Sequence, residues 1–278
     1  MEKHFDTNSN NYQLLPPWSN PKNPEILFPL EHFERLLVEL GWSTPSSWLN
    51  YWNKRNGANI AYSHWSPGTK SDWIWGLGLP LLSDAERCFT KSESPILFGI
   101  TGLPGCGKTS LGRWLEAAAF ELNLPLSVIS LDDFYLPSRK LEQAMSGNPW
   151  KVPRALPGSH SIQLLEETIE RFMETGVLLS PQFNKALRDG LGDRCGWRYS
   201  KAQILIIEGW FLGCVPTENS LEIKNTLENI SPPLNSNEVK YRKIVQQSLY
   251  KYLPIWQKFK RLWHLKEIEF NSTRHWKK

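Results

Sequence analysis

The sequence predicts an α/β chain: a doubly wound parallel sheet over residues 94–278, preceded by a small, mainly helical module over 1–93. Three observations predict it. From Ser94 onward, short continuous apolar runs alternate with amphipathic helical patterns, as expected of strands buried on both faces of a parallel sheet. The apolar runs lead into glycines or carboxylates, at the sheet edge where open α/β folds keep their sites. Before Ser94 the pattern is helical only, and seven of the 14 tryptophans fall between Trp18 and Trp75.

Residues 1–28 are rich in Asn and Pro and read as an irregular tail. They carry neither the apolar core of a secretory signal nor the Arg-rich amphipathic look of a transit peptide. Leu30, Phe33, Leu37 and Leu40 recur at helical spacing, with Gly41 placed to end the helix, and Ser47–Tyr51 begins another. The tryptophans here are expected to build the module's core. "PILFGIT" is then the first buried strand. The helix "KTSLGRWLEAAAFELN" follows, with Leu111, Leu115, Ala118 and Leu122 on one face. "LPLSVISLDD" is the second strand. "SIQLLEETIERFMETG" is a helix with Ile162, Leu165, Ile169 and Phe172 on one stripe and Gly176 as its stop. "AQILIIEGW" is the third strand. Residues 215–237 read as a polar loop, and the remainder as helix broken by Pro254.

Composition sets limits on function. The formal charge of +4, from 32 basic and 28 acidic side chains, is too mild to call for a nucleic-acid partner. No apolar run is long enough to cross a bilayer. The four cysteines form no CxxC pair and read as reduced thiols, so a cytoplasmic location is expected. His4, His32, His64, His264 and His275 show no metal-ligand spacing.

The chemistry starts at "GLPGCGKTS". Gly102, Gly107, Lys108 and Thr109 match G-x-x-x-x-G-K-[ST] between a buried strand and an amphipathic helix, which defines a P-loop and a P-loop NTPase fold. Backbone N–H groups across Gly102, Leu103, Pro104, Gly105, Cys106, Gly107, Lys108, Thr109 and Ser110 are expected to cradle phosphates, Pro104 lending only its curvature. Lys108 reaches the outer phosphates and Thr109 ligates Mg²⁺. Asp132 and Asp133 follow the second strand and Glu208 closes the third, so two strand ends bring acids to one loop. Asp132 can accept a hydroxyl proton or hold the metal, and Glu208 can orient it. No guanine-reading Asn/Thr-Lys-x-Asp motif appears in the expected region, which weighs against a GTPase.

With "SLDDFYLP", "RALPGSH", "PQFNKALRDGLGDR" and "ILIIEGWFLG" following the P-loop in that order, the chain resembles the D-glycerate 3-kinases. These lie within the wider group of P-loop kinases that includes uridine kinase, phosphoribulokinase and bacterial pantothenate kinase. The resemblance covers roughly residues 96–215. It implies ATP as donor, Mg²⁺ as cofactor and D-glycerate as the small-molecule partner, giving 3-phosphoglycerate. It implies Asp132 as general base, with Lys108 and Glu208 beside it. Asp133, Tyr135, Arg154, His160, Lys185, Asp193 and Arg194 are the implied substrate-binding set. Ala155, Ser161 and Asn184 stand where the family usually has Gly, Asp and Asp. The tail from Lys240 holds eleven basic residues against two Glu and looks like a shortened form of the family's C-terminal region, with Arg274 as a candidate lid cation. A kinase for a nucleoside or pantothenate-like acceptor, or an ATP-binding protein with a basic interaction tail, are the alternative readings.

Overall fold

The computed structural model describes residues 30–65, 71–217 and 232–266. The irregular tail over 1–28 with Trp18, part of the 215–237 loop, and Arg274 with the closing basic residues lie outside the described residues. The chain divides into two compact units: residues 30–93 with 110–126, and residues 94–109 with 127–266.

The first unit is helical. α1 (Leu30–Glu39) buries Phe33 and Leu37. α2 (Pro45–Lys54) starts at Thr44, whose side chain accepts the Ser47 N–H while Ser47 reaches back to the Thr44 N–H, and Pro45 adds a preset φ. α3 (Gly57–Ser63) follows. A short turn at Ser71–Trp73 and a π-helical stretch at Ile74–Gly78 lead into α4 (Leu79–Thr90). Tryptophans do build the core. Trp48 packs edge-on against Phe33 at 5.3 Å and Trp75 at 6.0 Å. Both the Trp48 and Trp52 indoles donate to the Ser83 hydroxyl at 3.0 Å, and Ser83 in turn donates to the Leu79 carbonyl at 2.7 Å. Trp114, from α5 (Lys108–Glu121), joins this unit by donating to the Ala61 carbonyl at 3.1 Å. It packs so closely on Gly78 that a Cβ there would come within 2.7 Å of the indole.

The second unit carries a four-stranded sheet in the order β2 (Leu126–Ser130), β5 (Ile204–Gly209), β1 (Ile96–Gly102), β6 (Arg261–Leu265). β1 and β5 are buried along their whole length, which is why both read as unbroken apolar runs. They pair in parallel from Ile96↔Ile204 to Thr101↔Gly209, bringing Ile100 level with Glu208. α7 (Ile162–Thr175) packs Leu165, Ile169 and Phe172 into a core with Leu97, Leu205 and Ile207, and ends on Gly176 in the left-handed conformation.

Two elements differ from the sequence reading. Residues 177–201, to which the sequence reading assigns no element, form an antiparallel pair of β3 (Val177–Asn184) and β4 (Asp193–Lys201), with a register shift between Gln182 and Phe183. The stretch after Pro254, read as helix, contains β6, which pairs in parallel with β1 from Phe98↔Arg261 to Gly102↔Leu265. A free edge beside a fully apolar strand outweighs the weak helical periodicity of "RLWHL". Helical pattern elsewhere in the tail corresponds to α8 (Ser236–Leu249). None of the four cysteines forms a disulfide. Among the described residues, no helix is long and apolar enough to cross a membrane.

Candidate active site

β1 ends at Gly102 and α5 begins at Lys108, so the loop between them wraps the helix N-terminus, where main-chain N–H groups point outward. Gly105 and Gly107 take φ of +92° and +86°, which favour glycine. A Cβ on Gly107 would meet nothing within 4 Å, whereas one on Gly102 would lie 2.8 Å from the Leu265 carbonyl oxygen. Lys108 is buried, and its ammonium donates to the Gly102 and Leu103 carbonyls at 2.7 and 2.8 Å. The Thr109 hydroxyl donates to Glu208 Oε1 at 2.9 Å. Leu103, Pro104 and Cys106 complete the loop, and Ser110 is exposed on the helix that follows.

Glu208 is buried at the end of β5. Burial raises its carboxyl above the usual range, opposed by hydrogen bonds from Thr109 and Ser130 and by the charge of Lys108, while Asp132 adds repulsion. β2 then turns into a 3₁₀ segment, Leu131–Phe134, whose first residues are the paired aspartates. Asp133 points back into the fold: it accepts the Phe183 N–H at 3.2 Å and the Ser130 N–H at 3.4 Å. Its carboxyl is raised, chiefly by burial. Asp132 is differently placed. Its Oδ2 accepts from the Lys185 ammonium at 2.6 Å and its Oδ1 from the Tyr135 hydroxyl at 2.8 Å. Burial acts to raise Asp132, but the charge and hydrogen bond of Lys185 with that of Tyr135 prevail and hold it below the usual range.

Tyr135 organises the far side. Its ring stacks on His160 at 4.5 Å between centroids, its carbonyl accepts from Arg194 Nε at 3.1 Å, and burial raises its hydroxyl far above normal. His160 is enclosed, its Nδ1 lies 2.9 Å from the Tyr252 hydroxyl, and burial lowers its imidazole to about 4. His160 Nε2 and Arg194 Nη2 are buried without a partner among the described residues. Arg194 is lowered by burial, against the pull of Asp193.

The remaining expected residues hold the frame. The Asp193 carboxylate accepts the Ser138 N–H at 3.1 Å, at the start of α6 (Ser138–Met145), and the Arg194 N–H at 2.9 Å. Arg154 donates to the Gly190 and Leu191 carbonyls at 2.7 and 3.2 Å and so fastens the β3–β4 turn. Asn184 Oδ1 accepts the Ala186 N–H at 2.9 Å. Ala155 adopts φ +84°, a glycine conformation, with its carbonyl accepting from the Trp210 indole at 3.0 Å. Sequence reasoning did not find Tyr252, which lies 92 positions from the histidine it supports and carries no motif.

The donor set suits a hard cation. Thr109 and Glu208 offer oxygen ligands, and no group of three His, Cys, Asp or Glu able to hold a metal occurs among the described residues. Such a site depends on phosphate oxygens and water for its remaining ligands, as Mg²⁺ sites do.

No family model matches the chain. It is 27% identical over 187 residues to the chloroplastic D-glycerate 3-kinase of Arabidopsis thaliana, covering 63% of this chain and 38% of that one. The chain therefore spans well under half the length of this plant relative. It is 29% identical over 212 residues to the uncharacterized kinase mug58 of Schizosaccharomyces pombe, covering 71% of this chain and 74% of that one. The solved D-glycerate 3-kinase of Cryptococcus neoformans superposes with a TM-score of 0.62 at 21% identity, over 72% of this chain and 76% of its own, a likeness of fold. A parallel sheet with a phosphate loop at its edge and relatives of this kind carry one conclusion: the chain has an α/β P-loop fold and is similar to D-glycerate 3-kinases.

Proposed function

We propose that the chain is an ATP-dependent kinase that transfers the γ-phosphoryl group to a hydroxyl of D-glycerate, giving 3-phosphoglycerate and ADP. The observation that supports this best is geometric: Thr109 of the phosphate loop donates to Glu208 Oε1 at 2.9 Å at the end of β5, and Asp132 follows β2, the strand next to β5. The loop amides and Lys108 bind the phosphates of ATP and stabilise charge on the moving phosphoryl group. Thr109 and Glu208, with Asp132 as a third oxygen donor, are the residues that would hold Mg²⁺. When bound, Mg²⁺ offsets the negative charge of the phosphates.

Asp132 takes the proton of the acceptor hydroxyl as its oxygen bonds to phosphorus and the bond to the bridging oxygen of ADP breaks. Lys185 holds that carboxylate ionised and is itself half exposed, so its ammonium can also serve the acceptor's carboxylate. Arg194 supplies a second cation beside Tyr135.

The test is ADP release by the purified chain with Mg·ATP, with and without D-glycerate, alongside Lys108→Ala. Glycerate-dependent turnover that the variant lacks supports the reading. A chain that turns over a nucleoside or pantothenate but not glycerate replaces the acceptor. No turnover above Lys108→Ala with any of these sinks the kinase reading. The cytoplasmic location is part of the same proposal, and imaging of the tagged chain checks it.

A further inference from the structure

Tyr252 decides which nitrogen of His160 carries the proton. Its phenolic oxygen accepts the Gly158 N–H at 3.0 Å. Among the described residues, the acceptor within reach of the phenol's own proton is His160 Nδ1, 2.9 Å away. The other neighbour of Nδ1, the Ser159 hydroxyl at 3.4 Å, gives its proton to the Leu156 carbonyl at 2.6 Å. Nδ1 is therefore an acceptor. Enclosure keeps the ring uncharged near neutrality. A neutral imidazole that accepts at Nδ1 carries its hydrogen on Nε2.

That Nε2–H is buried and has no partner among the described residues. An unmade hydrogen bond of this kind is costly in a buried site, and so calls for a taker. The imidazole stacks on Tyr135, whose hydroxyl donates to Asp132, and Asp132 feels His160 electrostatically. An acceptor carboxylate beside Asp132 would be repelled, and Lys185 and Arg194 already offer it cations. An uncharged oxygen meets neither objection.

We propose that His160 donates its Nε2–H to an uncharged hydroxyl oxygen of the acceptor, the one not phosphorylated, and thereby selects acids that carry a second hydroxyl. This rests on the kinase reading above for the identity of the acceptor. A site built to bond a hydroxyl rejects the analogue lacking it far more strongly than an apolar pocket does.

Two measurements test it. In the ¹⁵N-labelled wild-type protein at neutral pH, NMR should find the His160 proton on Nε2. Its resonance should shift on adding D-glycerate without ATP, and should stay in place on adding 3-hydroxypropanoate, which lacks the second hydroxyl. A proton on Nδ1, or the same response to both acids, overturns the proposal. In kinetics, the preference for D-glycerate over 3-hydroxypropanoate in kcat/KM should fall at least tenfold in His160→Phe, through loss with glycerate alone. His160→Gln, which keeps an N–H donor, should recover part of it. Equal losses with both acids overturn the proposal and leave the kinase reading intact. Wild-type turnover with neither acid removes D-glycerate as the acceptor instead, and the tautomer result still stands or falls by itself.

Discussion

The Lys185 ammonium and the Asp132 carboxylate lie 2.6 Å apart, joined from positions 53 residues distant by the β3–β4 hairpin. Neutralising this cation should raise the Asp132 carboxyl, because burial then acts with less opposition. A carboxylate whose folded pKa lies below its unfolded one adds stability above the unfolded value and loses it as pH falls through the folded value. In Lys185→Met that acid-side loss of stability should shrink, while the acid limb of the turnover profile should move up in pH. Acid limbs that superimpose in wild type and variant would rule out control of Asp132 by Lys185.

His160 gives a linkage of the same sign at higher pH, set by burial and not by a charge partner. Burial lowers it to about 4, so the unfolded chain binds a proton that the folded chain refuses as pH drops from about 6.5 to about 4. Stability should therefore fall across that window, by up to about 3 kcal/mol for a shift of this size. Urea denaturation of wild type and His160→Gln from pH 7 to pH 4 reads it: the variant's curve should be flatter.

Ala155 stands at φ +84°, where a β-carbon is strained. Ala155→Gly removes the strain and returns some flexibility to the unfolded chain, for a net gain of about 0.5–1 kcal/mol. Equilibrium denaturation should show it, with the Trp210 indole still bonded to the residue 155 carbonyl.

The two loop glycines should fail differently. Gly107→Ala has room but the wrong φ, so it should lose about 1–2 kcal/mol of stability and weaken ATP binding. Gly102→Ala drives a methyl against the Leu265 carbonyl and should disturb the β1–β6 pairing first. Denaturation beside nucleotide titration separates the two; identical profiles would contradict this account.

Ser83 takes two indole N–H groups at once. Ser83→Ala strands both in the core and should cost about 2–4 kcal/mol. Near-ultraviolet circular dichroism, dominated by the packed indoles, should change with it.

The parts of the molecule that declare themselves in sequence are those made from contiguous residues. Strands β1 and β5 and the loop at 102–109 need only their own apolar runs and glycines to be read. The Gly176 stop of α7 is equally local. The hairpin was hidden because Pro181 interrupts β3 and the register shifts at Gln182/Phe183, which blurs the two-residue alternation. Five residues are too few to give β6 a periodicity of its own, and its strand state comes from β1. Asp132 could be chosen by type and position, and His160 and Arg194 by family resemblance, but not the split of duties between the adjacent aspartates. That split depends on Phe183 and Lys185, which the hairpin delivers.

The pairing of β1 with β6 also bears on how the chain is made. During synthesis β1 leaves the ribosome roughly 160 residues ahead of β6 and about 100 ahead of β5, so the strand that carries the phosphate loop waits without a neighbour. A nascent chain halted before Arg261 should hold an unsealed sheet edge, sticky toward chaperones. Nucleotide binding should thus appear late in translation, although the loop that performs it is among the earlier parts translated.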